Sequence, residues 1–165
     1  TNEVTPCWSA TGDAVYFSSD RSGVWEVWRQ PVAQGRAVQF TSSGGFAPLE
    51  RDGFLWYSRS RSKPGLYRMP VTGGAEQAVL PDLPGSMWGN WTVRGGRVFY
   101  MLESGGIFVK PGINDAPRQL HQLTREPIRW DGGLDVSPDG FALLFVQLDH
   151  VGSDLFVMEN AARQD

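Results

Sequence analysis

Apolar residues in this chain do not recur every three or four positions. They come in short bursts that are shut off by glycine, proline or a polar pair: "AVYFSS" from Ala14, "FLWYSR" from Phe54, "RVFYML" from Arg97 and "ALLFVQ" from Ala142. Runs this short, rich in aromatic and β-branched residues, predict strands. Each follows a glycine turn that has a large apolar residue four places before the glycine: Trp8 to Gly12, Leu49 to Gly53, Trp91 to Gly95 and Val136 to Gly140. The turns read "WSATG", "LERDG", "WTVRG" and "VSPDG". Asp-Gly or Gly-Gly between two apolar runs is a strong hairpin signal, because both residues tolerate positive φ. Four hairpins are therefore predicted.

A third strand follows each of them. Its apolar–aromatic pair falls at Val27-Trp28, Leu66-Tyr67, Ile107-Phe108 and Leu155-Phe156, and in the first three repeats a proline comes three residues later, at Pro31, Pro70 and Pro111. Proline brings no N–H to a ladder, so it ends the strand and opens a turn. "RAVQFT", "EQAVL" and "RQLHQLT" supply a fourth strand in the first three repeats. The spacings between the four marking glycines are 41, 42 and 45 residues.

Four short antiparallel strands at that period predict an all-β fold, a β-propeller built of four-stranded blades. The repeats fall at about 5–44, 45–85, 86–127 and 128–165 of a single domain, 1–165. A lone blade cannot cover its two apolar faces, so blades stack. Trp28, Tyr67, Phe108 and Phe156 are expected at equivalent, largely buried third-strand positions.

The fourth repeat stops after its third strand. Many propellers close by borrowing an outer strand from the N-terminus, but Val4 precedes Trp8 by four residues whereas Phe40 precedes Leu49 by nine. The tether is short for self-closure. Three arrangements stay open: the C-terminal part of a longer propeller, two copies forming one eight-bladed ring, or a closed ring of four. An open stack exposes two apolar faces, so a homo-oligomer is expected.

Composition narrows the class. The 165 residues include 20 glycines, 11 prolines and seven tryptophans, with 41% hydrophobic and 20% charged residues. Net charge is −3 without a large Lys/Arg cluster, so nucleic acid is not an expected partner. No apolar run approaches the ~20 residues of a membrane span, and "TNEVTPCWSA" lacks the form of a signal peptide. Cys7 has no cysteine to pair with and reads as a small buried hydrophobe. His121 and His150 each lack a second His or Cys at ligand spacing, and Asp131, Asp135 and Asp139 lack the alternating pattern of a calcium loop. No cofactor is expected.

With these residues in view, "PCWSATGDAVYFSSDRSGVWEVWRQPVAQGRAVQFT" resembles the TolB-type WD-like propeller repeat, and "SPDG" at 137–140 keeps its turn. The third repeat departs, with "TVRGG" for that turn and no Asp-Arg loop. The ending "SDLFVMENAARQD" resembles the tail of bacterial regulators and kinases that carry such a propeller as a sensor. The resemblance implies the fold, and it also implies a periplasmic or extracytoplasmic setting. Function is left at the level of class.

Candidate sites fall in the longer loops, where function on a rigid scaffold usually resides. Trp88 and Trp130 either form a stacking surface or cap the core. Asp20 and Arg21 bind a polar ligand or, as the resemblance implies, tie adjacent loops. Arg59, Arg61 and Lys63 form a small basic loop that reads as a solvated face, and His150 lies in "LDHVGSD". No nucleophile–base motif such as G-x-S-x-G is present. The expectation is a non-enzymatic interaction or sensor module that binds a protein or small ligand through its long-loop face. The competing reading is the propeller portion of a prolyl-oligopeptidase-type peptidase.

Overall fold

The computed structural model describes residues 1–149 and 152–159, which carry sixteen β-strands and a single 3-10 turn, Gly85–Met87. They form two compact units, Thr1–Trp88 and Gly89–Asp165. In the first unit, β1 (Glu3–Trp8), β2 (Ala14–Ser19), β3 (Glu26–Pro31) and β4 (Val38–Gln39) make one antiparallel sheet in chain order. A second sheet follows from β5 (Phe46–Arg51), β6 (Phe54–Ser58), β7 (Leu66–Pro70) and β8 (Gln77–Leu80). The second unit repeats this with β9 (Trp91–Arg94), β10 (Arg97–Met101), β11 (Gly106–Lys110) and β12 (Arg118–Gln122). Each sheet is a blade of the expected kind.

The last sheet differs. β13 (Glu126–Pro127) and β14 (Leu134–Val136) both pair with the same edge of β15 (Ala142–Asp149), and β16 (Gly152–Glu159) takes the other edge. Its first strand is thus split in two, and among the described residues no strand pairs with the outer edge of β16. At the other end of the chain, Glu3–Trp8 is committed to β2, so those residues serve as the first strand of their own blade.

Hairpin register corrects one alignment made from sequence. Asp52-Gly53 and Gly95-Gly96 are two-residue turns with positive φ throughout (53° and 78°, 57° and 72°), the geometry that continues strand twist. Gly96 is therefore the counterpart of Gly53, and the position matching Leu49 is Thr92 rather than Trp91. A one-residue shift moves a side chain to the other face of the sheet, so Trp91, which is buried, lies on the face opposite to that of Thr92.

The turns of the first and fourth blades are wider and share another device. Ser9 Oγ and Ser137 Oγ each donate to a turn aspartate, Asp13 at 2.7 Å and Asp139 at 2.5 Å, and each accepts the N–H of the alanine that opens the next strand. The hydrogen bond from Ser137, then that from the Phe141 amide, hold the Asp139 carboxyl below the ordinary aspartate value. A depressed folded value stabilises above the unfolded pKa, and the contribution is lost as pH falls through the folded pKa. In a carbon-detected NMR titration, Ser137→Ala is expected to move the Asp139 midpoint upward; an unmoved midpoint would remove the serine from the turn.

Burial along the third strands is also offset by one residue from expectation. Trp28, Tyr67 and Phe108 do occupy equivalent positions, opposite Phe17, Tyr57 and Tyr100, but they are half-buried. The fully buried residues are the ones before them, Val27, Leu66 and Ile107, each 0% exposed. Side chains alternate along a strand, so only one member of each pair can face the tighter interface. Phe156 pairs with Phe145 through the backbone, and its side chain lies outside the described ones. The rings of Tyr67 and Phe108 lie over bare backbone: a Cβ on Gly65 or Gly106 would come within 2.4 or 2.6 Å of them.

Between the first two blades, Tyr16 and Val27 pack against Leu55 and Tyr57. Cys7, half-buried, joins the margin of this core, and burial pushes its thiol up. Buried serines add polar links. Ser18 Oγ meets Thr5 Oγ1 at 2.8 Å and accepts the Ala47 amide of the next blade at 3.0 Å. Ser58, in the matching register position, donates to the Trp88 carbonyl at 2.9 Å.

Candidate functional site

Loops that join second to third strands, and one blade to the next, are drawn together in the first unit by backbone contacts. The Gly45 amide donates to the Trp25 carbonyl at 3.0 Å, and the Gly65 amide to the Leu83 carbonyl at 2.8 Å. The Glu26 carboxylate, 1% exposed, accepts from Thr41 Oγ1 at 2.5 Å and from the Gly44 amide at 3.0 Å, which fixes the connection beside Trp25. Gly85 lies so close to the 61–63 loop that a Cβ there would sit 2.8 Å from the Ser62 carbonyl carbon and 3.0 Å from the Arg61 oxygen.

These contacts assemble a row of rings. Trp25 meets Phe46 edge-to-face at 5.2 Å and 88°, and Phe46 meets Trp88 at 4.9 Å and 87°. The Arg61 guanidinium lies 5.9 Å from the Phe46 centroid. Phe46 is buried, the two tryptophans are half-buried, and Arg61 is exposed. Edge-to-face packing fixes the rings without using up the outer tryptophan surfaces. An exposed guanidinium beside them offers a planar fork for a carboxylate or phosphate. Trp88 and Arg61, chosen from sequence, are thus brought together through Trp25 and Phe46, which sequence reasoning did not single out. Their signal was available: Trp25 ends the "SSDRSGVW" loop, and Phe46 ends "TSSGGF".

The other sequence candidates are placed differently. Asp20 accepts from the Asn2 amide and from Asn2 Nδ2, each at 2.7 Å, and these bonds hold its carboxyl below the ordinary range. Arg21 pairs with Glu3, bonds Ser19 Oγ at 3.1 Å, and lies 4.8 Å from the Trp28 ring and 5.1 Å from the Phe17 ring. Both residues tie the first strand to the loop after β2. Arg59 is no part of a solvated basic loop. It is 12% exposed, forks onto Glu76, lies 3.7 Å from the Tyr67 centroid and donates to the Ser43 carbonyl. Tyr57 donates to the same Glu76 at 2.6 Å; burial first, then this carboxylate, push its phenol far up.

Trp130 belongs to the second unit, has φ 65° and is 52% exposed in the loop between β13 and β14. His121 lies tilted over the Phe145 ring at 5.4 Å. His150 lies outside the described residues. The second unit also has an open cleft of about 620 Å³ between Glu103, Arg125, Arg129 and Asp149, where Arg125 faces Asp149 at 3.6 Å. Among the described residues, no group of three His, Cys, Asp or Glu side chains gathers at metal-ligand distance, and no helix is long and apolar enough to cross a membrane.

No protein-family model matches the sequence, and no curated protein matches it. Solved structures do. TolB from Acinetobacter baumannii is similar at TM-score 0.70 and 14% identity, over 96% of this chain and 41% of that one. A putative TolB from Agrobacterium tumefaciens gives TM-score 0.70 and 18% identity, over 96% and 59%. A puromycin-hydrolyzing peptidase from Mycobacterium tuberculosis gives TM-score 0.70 and 17% identity, over 99% and 28%. The chain spans less than two thirds of each of these. The fold is a TolB-type β-propeller fold, four blades of it, and at such identities the likeness extends to the fold alone.

Proposed function

We propose that this chain is a non-enzymatic interaction module that binds a protein segment or small ligand through the loops carrying Trp25, Trp88 and Arg61. The observation that supports this reading is the edge-to-face row Trp25–Phe46–Trp88 with an exposed guanidinium at its centre. Aromatic surface next to arginine is the composition that dominates binding hot spots. A sensor role within a bacterial regulator or kinase fits the same site, because there the propeller would supply only recognition.

Peptides selected from a phage-displayed random library on this chain provide the probe. Arg61→Glu, a change on an exposed side chain, is expected to weaken them about tenfold or more, by placing a like charge against bound carboxylates. Peptides indifferent to Arg61→Glu but lost on changing Arg125 or Arg129 would move the site to the second unit.

The peptidase reading has one observation on its side, the fold likeness to the puromycin-hydrolyzing peptidase. It is separated by turnover. Hydrolysis of a peptide or ester by this chain, abolished by substituting Asp20, His121 or His150, would replace the binding-module reading.

A further inference from the structure

The seam between two blades is filled in the first unit and open in the second. In the first, Glu26 precedes Val27 and turns its carboxylate onto Thr41 Oγ1 and the Gly44 amide, which fills the connection to the next blade. Gly106 holds that position before Ile107, with the Phe108 ring lying over it, and brings no side chain to the connection. The facing strand is also longer. Ser58, the last residue of β6, is matched by Val146 through their partners Leu66 and Leu155, and β15 continues three residues further, to Asp149. The cleft of about 620 Å³ is lined by this extension and by the unfilled connection.

Its walls are held by hydrogen bonds. On one side Gln122 Nε2 donates to the Ser104 carbonyl at 2.8 Å, and the Leu123 amide to the Gly105 carbonyl at 2.9 Å. On the other, Glu126 and Pro127 pair with Leu148 and Gln147. Leu123 and Pro127 are buried and Leu148 is 42% exposed, so the lining has an apolar part. The rest carries both signs of charge. Arg129 and Glu126 are exposed, and neither side chain has a hydrogen bond or ion pair among the described residues. Arg125 meets Asp149 at 3.6 Å, with side-chain exposures of 50% and 46%. That is longer than a hydrogen bond, and so exposed a pair holds its members weakly.

We propose that this cleft binds a small zwitterion with an apolar body, a free amino acid or a short peptide. The guanidinium fork of Arg129 takes the carboxylate, and Glu126 takes the ammonium. A dianion would gain from Arg125 and Arg129 but face Glu103, Glu126 and Asp149, and a simple cation would face the two arginines. A ligand with one charge of each sign is complementary to both sets. The cleft lies wholly in the second unit and shares no residue with the Trp25–Phe46–Trp88 row, so the inference is independent of that site.

Amide NMR shifts of the whole chain, titrated with L-leucine and with leucyl-leucine, test it. The amides of Ser104, Thr124 and Arg129 are expected to move, and the probe that saturates at lower concentration shows whether the source is an amino acid or a peptide. N-acetyl-leucine keeps only the carboxylate and leucinamide only the ammonium. Each should bind about fivefold more weakly than leucine. Arg129→Gln should erase the advantage of leucine over leucinamide, and Glu126→Gln its advantage over N-acetyl-leucine. Both side chains are exposed, so the fold is retained, and Arg125→Gln serves if Arg129→Gln does not fold. No shift with either probe at about 20 mM overturns the proposal. So do blocked forms that bind as well as leucine, which would reduce the cleft to apolar contact. Shifts confined to Trp25 and Trp88 would also overturn it, by giving the ligand to the first unit.

Discussion

Replacing Trp56 by alanine is expected to lower the unfolding free energy by about 3–5 kcal/mol, the range for truncating a buried large aromatic. Trp56 is 2% exposed, meets Phe54 edge-to-face and donates Nε1–H to the Arg51 carbonyl at 3.2 Å. Alanine removes the ring and the indole hydrogen bond to that carbonyl. Trp28→Ala should cost only about 1–2 kcal/mol, because the half-buried ring loses less contact on truncation. Denaturant unfolding of both variants measures the difference. A loss below about 1 kcal/mol at Trp56, or a larger one at Trp28, would reverse the assignment of faces.

Glu76→Ala should cost about 2–4 kcal/mol, since it strips the counter-charge from a largely buried arginine. Glu76 accepts both arms of the Arg59 fork and the Tyr57 hydroxyl, with side-chain exposures of 12% for Arg59 and 27% for Glu76. The orphaned guanidinium would remain against the Tyr67 ring with only the Ser43 and Gly44 carbonyls as acceptors among its described hydrogen bonds. Arg59→Met in the same background should recover part of the loss, because the uncompensated charge goes with it. A double-mutant cycle isolates the coupling. An additive cycle would show that the pair is ornamental.

The repeat was legible because each blade marks the turn between its first two strands with glycine and writes its strands in apolar bursts, and both signals are local. Register was less so. A glycine pair such as Gly95-Gly96 allows two alignments, and only cross-strand pairing shows which one the turn takes. The choice between Val27 and Trp28 as the more buried residue also lay beyond pattern, because alternation gives two faces without ranking them. Arg59 reads as a loop cation until Glu76, seventeen residues on, is placed beside it. Half of the ring row was visible as loop tryptophan and arginine; its centre, Phe46, looked like an ordinary strand residue.

The blade connections also differ in what they will tolerate. A Cβ at Gly12, Gly53 or Gly73 meets no atom within 4 Å, whereas Gly85 abuts the backbone of residues 61–63. Turns of the first sort are natural splice points, since insertions succeed where the altered backbone has room and few tertiary contacts. An affinity tag, a fluorescent reporter or an entire foreign domain could be threaded in after Gly53 or Gly73 and carried as cargo by an intact sheet. The same graft at Gly85 would push the 61–63 loop away from the connection that carries Trp88. A molecule whose connections divide in this way is a usable chassis, and it marks in advance which of its seams can be opened.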